Sequence, residues 1–350
     1  MDKSFSSDQK NASQSPSESQ SSSEAQMSQD TKNQSVSHSG TEIIQITRLS
    51  ELADHYSVFV FPIFGTLHNG QSLSEEAFTC LQNLADLGKT VTIFSNVPKR
   101  RHVLIQDLAS LGVPPSLYQH VIASGEVAYH ALKMRNDPFH ARLGKRAYIY
   151  GSSDALRMIE GLDIKKTTFL DEADFLLALG PDEWHSDLNY YKPSLRAAKK
   201  HNLPMVCVSP DLHVEYQGER SIRAGSIAAY YEELGGDVFY HGKPYRPFYK
   251  SLLADLDPFQ PKDILVLGDS YLTDIKGASK IGLDSVLCLN ETTKIDFELS
   301  GLQSHYKSRK SKQKKENETV GAILDPMKIM RSLLQEQDYA PKYLMERLKW

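Results

Sequence analysis

The chain is expected to fold as an α/β protein: a doubly wound, parallel, Rossmann-like core interrupted by an inserted α/β domain. Three observations support this. Short apolar runs alternate with helical patterns, beginning with Val58-Phe59-Val60-Phe61 and Val91-Thr92-Ile93-Phe94, and strand–helix alternation implies parallel pairing with crossover helices. The rhythm changes between about residues 124 and 219, then strands of the first kind resume at Ile264-Leu265-Val266-Leu267 and Ser285-Val286-Leu287-Cys288. Polar or glycine-bearing loops follow these strands, at the end of an open sheet where ligands bind.

The composition narrows the classes. With 350 residues, 40% hydrophobic and 24% charged, the chain has enough apolar material for one large or two medium domains. A net charge of −4 exerts no global pull toward nucleic acid or anionic membrane. No apolar run approaches the roughly 18 residues of a spanning helix, and residues 1–40 lack the apolar centre of a secretory signal. Cys80, Cys207 and Cys288 are far apart in apolar surroundings and read as reduced core thiols of a cytoplasmic protein.

In chain order, residues 1–40 are rich in Ser, Gln and Asn with almost no large apolar side chains, so they are expected to be disordered. Core is expected over 41–123 and 220–300, with the insertion at 124–219. Ser72-Leu73-Ser74-Glu75 has capping-box spacing and starts a helix that Gly88 ends. A further helix carries Leu104, Leu108 and Leu111 before Gly112. Within the insertion, strands are expected at 146–150, 174–179 and 205–208, with a helix at 187–201. Residues 301–322, with Lys307, Arg309, Lys310, Lys312, Lys314 and Lys315, read as a solvated basic loop. A helix at 326–337 and a tail reaching Trp350 are expected to pack back onto the core.

Four loops converge on one crevice in such a sheet: Pro62-Ile63-Phe64-Gly65-Thr66, Ser95-Asn96, His241-Gly242-Lys243-Pro244, and Gly268-Asp269 through Asp274. A hydroxyl and an ammonium suit phosphate oxygens, and paired aspartates suit Mg²⁺. Each residue also has a structural reading: Ser95 or Asp269 as helix cap, Asp274 as a helix N-terminal acid, Asp211 as an Asx-turn, Lys243 as a surface lysine. A nicotinamide-type Rossmann site is disfavoured, because no G-x-G-x-x-G follows the first strand.

Lys243-Pro244 followed by Gly268-Asp269 and Asp274, together with Ser124-Gly125-Glu126, Ser209-Pro210-Asp211 and Ala224-Gly225-Ser226, resembles the haloacid dehalogenase (HAD) superfamily of phosphohydrolases, subfamily IIA, with an α/β cap. The resemblance spans roughly 42–350. It implies a phosphate-monoester phosphatase scaffold in which Ser95, Asn96 and Lys243 hold phosphate. Asp269, Asp274 and the Phe64 backbone carbonyl would serve Mg²⁺. His68, Asn69 and Asp211 would line the cleft, and the cap would support a homodimer. Two positions depart from the pattern. Pro62 stands where the family has its aspartate nucleophile, and Phe64 stands at the acid/base position. Proline has no nucleophilic or metal-ligating atom, so impaired catalysis and weakened Mg²⁺ affinity are expected. The alternatives are an active Mg²⁺-dependent phosphatase using another nucleophile or an activated water, and a protein-interaction module using the cap, tail or basic loop. A small phosphorylated ligand is the expected partner; nucleic acid and membrane are not.

Overall fold

The computed structural model describes residues 42–68, 72–182, 184–216, 219–320 and 326–350; the Ser-rich stretch 1–40 lies outside them. The core is a seven-stranded sheet in which every pairing is parallel. Its strands in chain order are β1 (Ile44–Ile46), β2 (Val58–Pro62), β3 (Thr90–Ser95) and β4 (His120–Ala123), and later β12 (Ile264–Gly268), β13 (Asp284–Cys288) and β14 (Tyr343–Met345). The spatial order is β1-β14-β13-β12-β2-β3-β4.

β2 is central and buried at all five positions. Alternation of side chains across the sheet sends Phe59 and Phe61 to one face, with Leu81, Leu84 and Leu104. Val58 and Val60 go to the other, with Phe94, Phe248 and Tyr249. Each buried aromatic contributes on the order of 1.5–3 kcal/mol by removal from water. Proline lacks a ladder donor and is normally excluded from central strands. Pro62 is accommodated because it is the last strand residue: its register partner is Phe94 on β3, while pairing with β12 stops at Val60.

The helix after β2 runs Glu75–Asp86 and is capped by Ser74, whose Oγ accepts from Ala77 N–H at 3.0 Å. The cap thus falls two residues beyond Ser72, where the capping-box spacing had placed it. The helix Arg101–Ser110 follows β3, and Ser124–Met134 follows β4.

The inserted domain holds a second parallel sheet. Its strands are β5 (Arg146–Tyr150), β6 (Lys165–Thr167), β7 (Phe175–Ala178), β8 (Met205–Cys207) and β11 (Val238–Tyr240), ordered β11-β8-β7-β5-β6. An antiparallel hairpin, β9 (His213–Tyr216) with β10 (Glu219–Ile222), stands apart. The insertion extends past the expected boundary at 219. The helix Ala224–Glu233 and β11 belong to it, because Ile227, Ala228, Tyr231 and Tyr240 pack with Tyr150, Leu176 and Met205.

Residues 302–320, expected as a loop, form a helix. Lys, Arg, Gln and Glu are good helix formers and the segment contains no Gly or Pro, so charge was the weaker signal. Its Leu302 and Tyr306 join the cluster built around Ile43, Leu287, Leu333 and Leu344. After the helix Pro326–Gln335, the chain enters the sheet as β14, between β1 and β13. Cys80, Cys207 and Cys288 are free and buried. Among the described residues no helix is long and apolar enough to cross a membrane.

Candidate functional site

The loop after β2 closes on itself. Leu67 and His68 N–H donate to the Ile63 carbonyl at 3.1 and 2.8 Å, and Gly65 N–H donates to the His68 carbonyl at 2.9 Å. Gly65 has φ +84°, a conformation that favours glycine. A Cβ there would stand 1.8 Å from Asp269 Oδ2. Only glycine lets this backbone meet the carboxylate at the end of β12. The neighbouring Thr66 Oγ1 donates to Asp269 Oδ1 at 3.3 Å.

Asp269 and Asp274 are both buried. Ser270 caps the turn Tyr271–Ile275 by accepting from Thr273 N–H at 3.1 Å, which aims Asp274 back at the strand end. Its Oδ2 accepts from Ser270 N–H at 3.2 Å, and its Oδ1 accepts from Lys243 Nζ at 2.7 Å. The Lys243 ammonium also lies 4.2 Å from the centre of the Phe94 ring, a favourable cation–π distance. Lys243 is therefore a buried cation bound to a buried carboxylate, not a surface lysine.

Asn96 fixes the Lys243 loop. Its Oδ1 accepts from Lys243 N–H at 2.6 Å, and its Nδ2 donates to the Lys243 carbonyl at 3.1 Å and to Asp211 Oδ1 at 2.7 Å. Gly242, with φ +125°, leaves no room for a Cβ, which would lie 2.6 Å from Asn96 Oδ1. Asn96 was expected at a phosphate; its side chain instead ties the core loop to Lys243 and to the inserted domain. Ser95 is buried, and its Oγ accepts a long 3.4 Å bond from Val97 N–H, which leaves its O–H as a donor.

Burial raises the carboxyls here. Asp211 is pushed up by burial, with Lys243 and Asn96 opposing. Asp269 is raised by burial and then by the charge of Asp274. Asp296 is pushed up to about 7 by burial, although Leu272 N–H and Ser270 Oγ donate to it. Arg223 is lowered by burial, with Asp211 opposing.

Other expected residues fall elsewhere. His68 is buried with its pKa lowered by burial, and its ring stands edge-on to Phe64 at 6.1 Å. Phe64 is 50% exposed at the mouth of the loop. Asn69 lies outside the described residues. Ser124-Gly125-Glu126 braces the loop after β3: Ser124 Oγ donates to the Val97 carbonyl, and Glu126 accepts from Arg100 Nε and Arg101 N–H, both at 2.8 Å.

Sequence reasoning missed Asn290. It follows β13, and its Nδ2 donates to Asp269 Oδ2 at 2.8 Å and to the Gly65 carbonyl at 2.9 Å. The strand-end rule that selected Asp269 applies equally to β13 and was the signal available. Thr293 Oγ1 completes the contact by donating to the Asp269 carbonyl at 2.7 Å.

The arrangement offers Mg²⁺ a depleted donor set. Among the described residues no group of three His, Cys, Asp or Glu side chains could hold a metal ion. Pro62 supplies no ligand, Asp274 is bonded through both oxygens to Lys243 and Ser270, and Asp269 is bonded to Thr66 and Asn290.

Family models agree with this geometry. One described as haloacid dehalogenase-like hydrolase matches residues 59–165, and one described as HAD-hydrolase-like matches 240–305. The chain is 24% identical over 243 residues to the 5'-nucleotidase YutF of Bacillus subtilis, covering 68% of this chain and 89% of that protein. A crystal structure of a haloacid dehalogenase-like hydrolase from Brucella suis superposes with a TM-score of 0.68 at 26% identity, over 87% of this chain and 99% of its own. A possible sugar phosphatase from Cytophaga hutchinsonii gives a TM-score of 0.61 at 18% identity, over 87% and 98%.

Proposed function

We propose that the chain, which matches haloacid dehalogenase-like hydrolase models over residues 59–165 and 240–305, is a catalytically impaired phosphatase scaffold of that kind whose crevice binds a small phosphate ester without hydrolysing it appreciably. The observation that carries this reading is Pro62, at the end of β2 and beside an otherwise assembled set of Lys243, Asp269, Asp274 and Ser95. Proline cannot attack phosphorus or accept a phosphoryl group. Losing a covalent nucleophile costs about 10⁴- to 10⁶-fold in rate, or roughly 5–8 kcal/mol.

Binding needs less. Lys243 has three N–H donors and one goes to Asp274, which leaves donors for a phosphate oxygen. The Ser95 hydroxyl supplies another. Phe64, exposed beside this loop, offers an apolar surface to the organic part of the ester. The 5'-nucleotidase and sugar-phosphatase descriptions of relatives make nucleotides and sugar phosphates the first esters to screen.

The test is a screen of purified protein against such esters, with phosphate release and binding measured in parallel. We expect binding by at least one ester, weakened about tenfold or more in Lys243→Ala, in line with loss of a charge-assisted bond, and no release above background. Turnover at ordinary enzyme rates that disappears in Asp269→Asn would overturn the reading in favour of an unusual nucleophile.

A further inference from the structure

Asn290 occupies a revealing position. Its amide nitrogen touches a backbone carbonyl, Gly65 O at 2.9 Å, and a buried carboxylate, Asp269 Oδ2 at 2.8 Å. Carbonyl and carboxylate oxygens converging on one point are the donor set a hard divalent cation takes. An amide NH₂ has two protons, and both are used on these two oxygens.

The orientation of the amide is fixed by the rest of the network. Asn290 Oδ1 accepts from Thr293 N–H at 3.2 Å and caps the helix Glu291–Leu299. A flipped amide would lose that cap and turn its oxygen toward the Asp269 carboxylate. Thr293 Oγ1 donates to the Asp269 carbonyl at 2.7 Å, so the Asn290–Thr293 pair grips Asp269 at both its side chain and its backbone. The approach is tight because Gly65 has no Cβ. The neighbouring carboxylate of Asp274 is matched by Lys243 at 2.7 Å, and Pro62 adds no further negative charge.

We propose that the Asn290 side-chain amide is a built-in cross-link between the first loop and Asp269, standing where an oxygen-seeking cation would otherwise be needed, so that the crevice assembles without divalent metal. The proposal is independent of which ester, if any, the crevice binds.

The test uses the full chain, with thermal midpoints and titration calorimetry in MgCl₂ or in EDTA at matched ionic strength. The wild type is expected to show no binding heat and no change in midpoint. Asn290→Asp keeps the helix-capping acceptor and replaces the NH₂ by oxygen, directing three oxygens at one point. It is expected to be less stable in EDTA and to gain roughly 3 °C or more with saturating Mg²⁺. Hydrogen exchange of the 65–68 amides provides a second measurement. Exchange should be unaffected by Mg²⁺ in the wild type and about tenfold or more faster in Asn290→Ala, which lacks the cross-link. Saturable stabilisation of the wild type by Mg²⁺, a folded Asn290→Asp indifferent to Mg²⁺, or unchanged exchange in Asn290→Ala would each overturn the proposal. If Asn290→Asp does not fold, the exchange result for Asn290→Ala decides.

Discussion

Lys243 and Asp274 form a buried ion pair, and the two members are not equally replaceable. Lys243→Met leaves the Asp274 carboxylate without its cation, which costs on the order of 3–5 kcal/mol when a buried pair is broken from one side. Urea denaturation should show that loss, and Lys243→Met combined with Asp274→Leu should recover most of it. A second buried group sets an acid limit. His241 Nε2 lies 3.0 Å from His140 Nε2, and His140 Nδ1 lies 2.7 Å from Asp137 Oδ2. Burial, and then the neighbouring His140, push His241 down to about 3. The unfolded chain therefore takes up this proton near the ordinary histidine value of about 6.5, well before the folded chain does. The stabilising contribution is complete above about 6.5 and is lost as pH falls from there through about 3. Thermal midpoints should drop between pH 7 and pH 5, with a shallower slope in His241→Gln. At this scale Pro62 was legible from its place in an apolar run, whereas His241 was not: nothing in its neighbours in sequence announces His140, a hundred positions earlier.

Strands and helices were legible in proportion to their length and patterning. β2 is legible as an unbroken apolar run, and the helix Leu188–Lys200 as a pattern sustained over thirteen residues. β1 and β14, three residues each, are too short to carry a period, and tertiary pairing alone makes them strands. The helix at 302–320 was hidden for the opposite reason, since its charge drew attention away from its helix-forming residues. Shortness does not make β14 peripheral. Leu344 is fully buried with Ile43, Ile275 and Leu287, so Leu344→Ala is expected to cost about 2–5 kcal/mol, as much as truncating a leucine in a long central strand. Equilibrium denaturation of the two kinds of variant checks this. Pro62→Asp belongs here as well: it restores a carboxylate at the end of β2, but the amide cross-link of Asn290 remains. The single substitution should restore less phosphatase activity than the same change combined with Asn290→Gly, measured with Mg²⁺.

For the molecule as a whole, the crevice is assembled from distant parts of the chain. Asn96 on the core reaches Asp211 on the inserted domain at 2.7 Å and grips the Lys243 backbone through both its amide atoms. Asn96→Ala should loosen that junction, giving faster hydrogen exchange at residues 208–212 and 242–245 together while the centre of the core sheet keeps its protection. The site residues were found from four separate motifs, but the bond that joins the two domains was not, because a sequence shows which strand ends are polar and not which of them touch. The position of β14 has a further consequence for synthesis. β1 and β13 are not neighbours until residues 343–345 slot between them, so a ribosome must have translated through Met345 before the sheet can close. Until then the nascent chain carries a gap bordered by unpaired strand edges. Chains truncated ahead of Tyr343 should consequently engage chaperones and be degraded, even though every residue of the crevice has already been made.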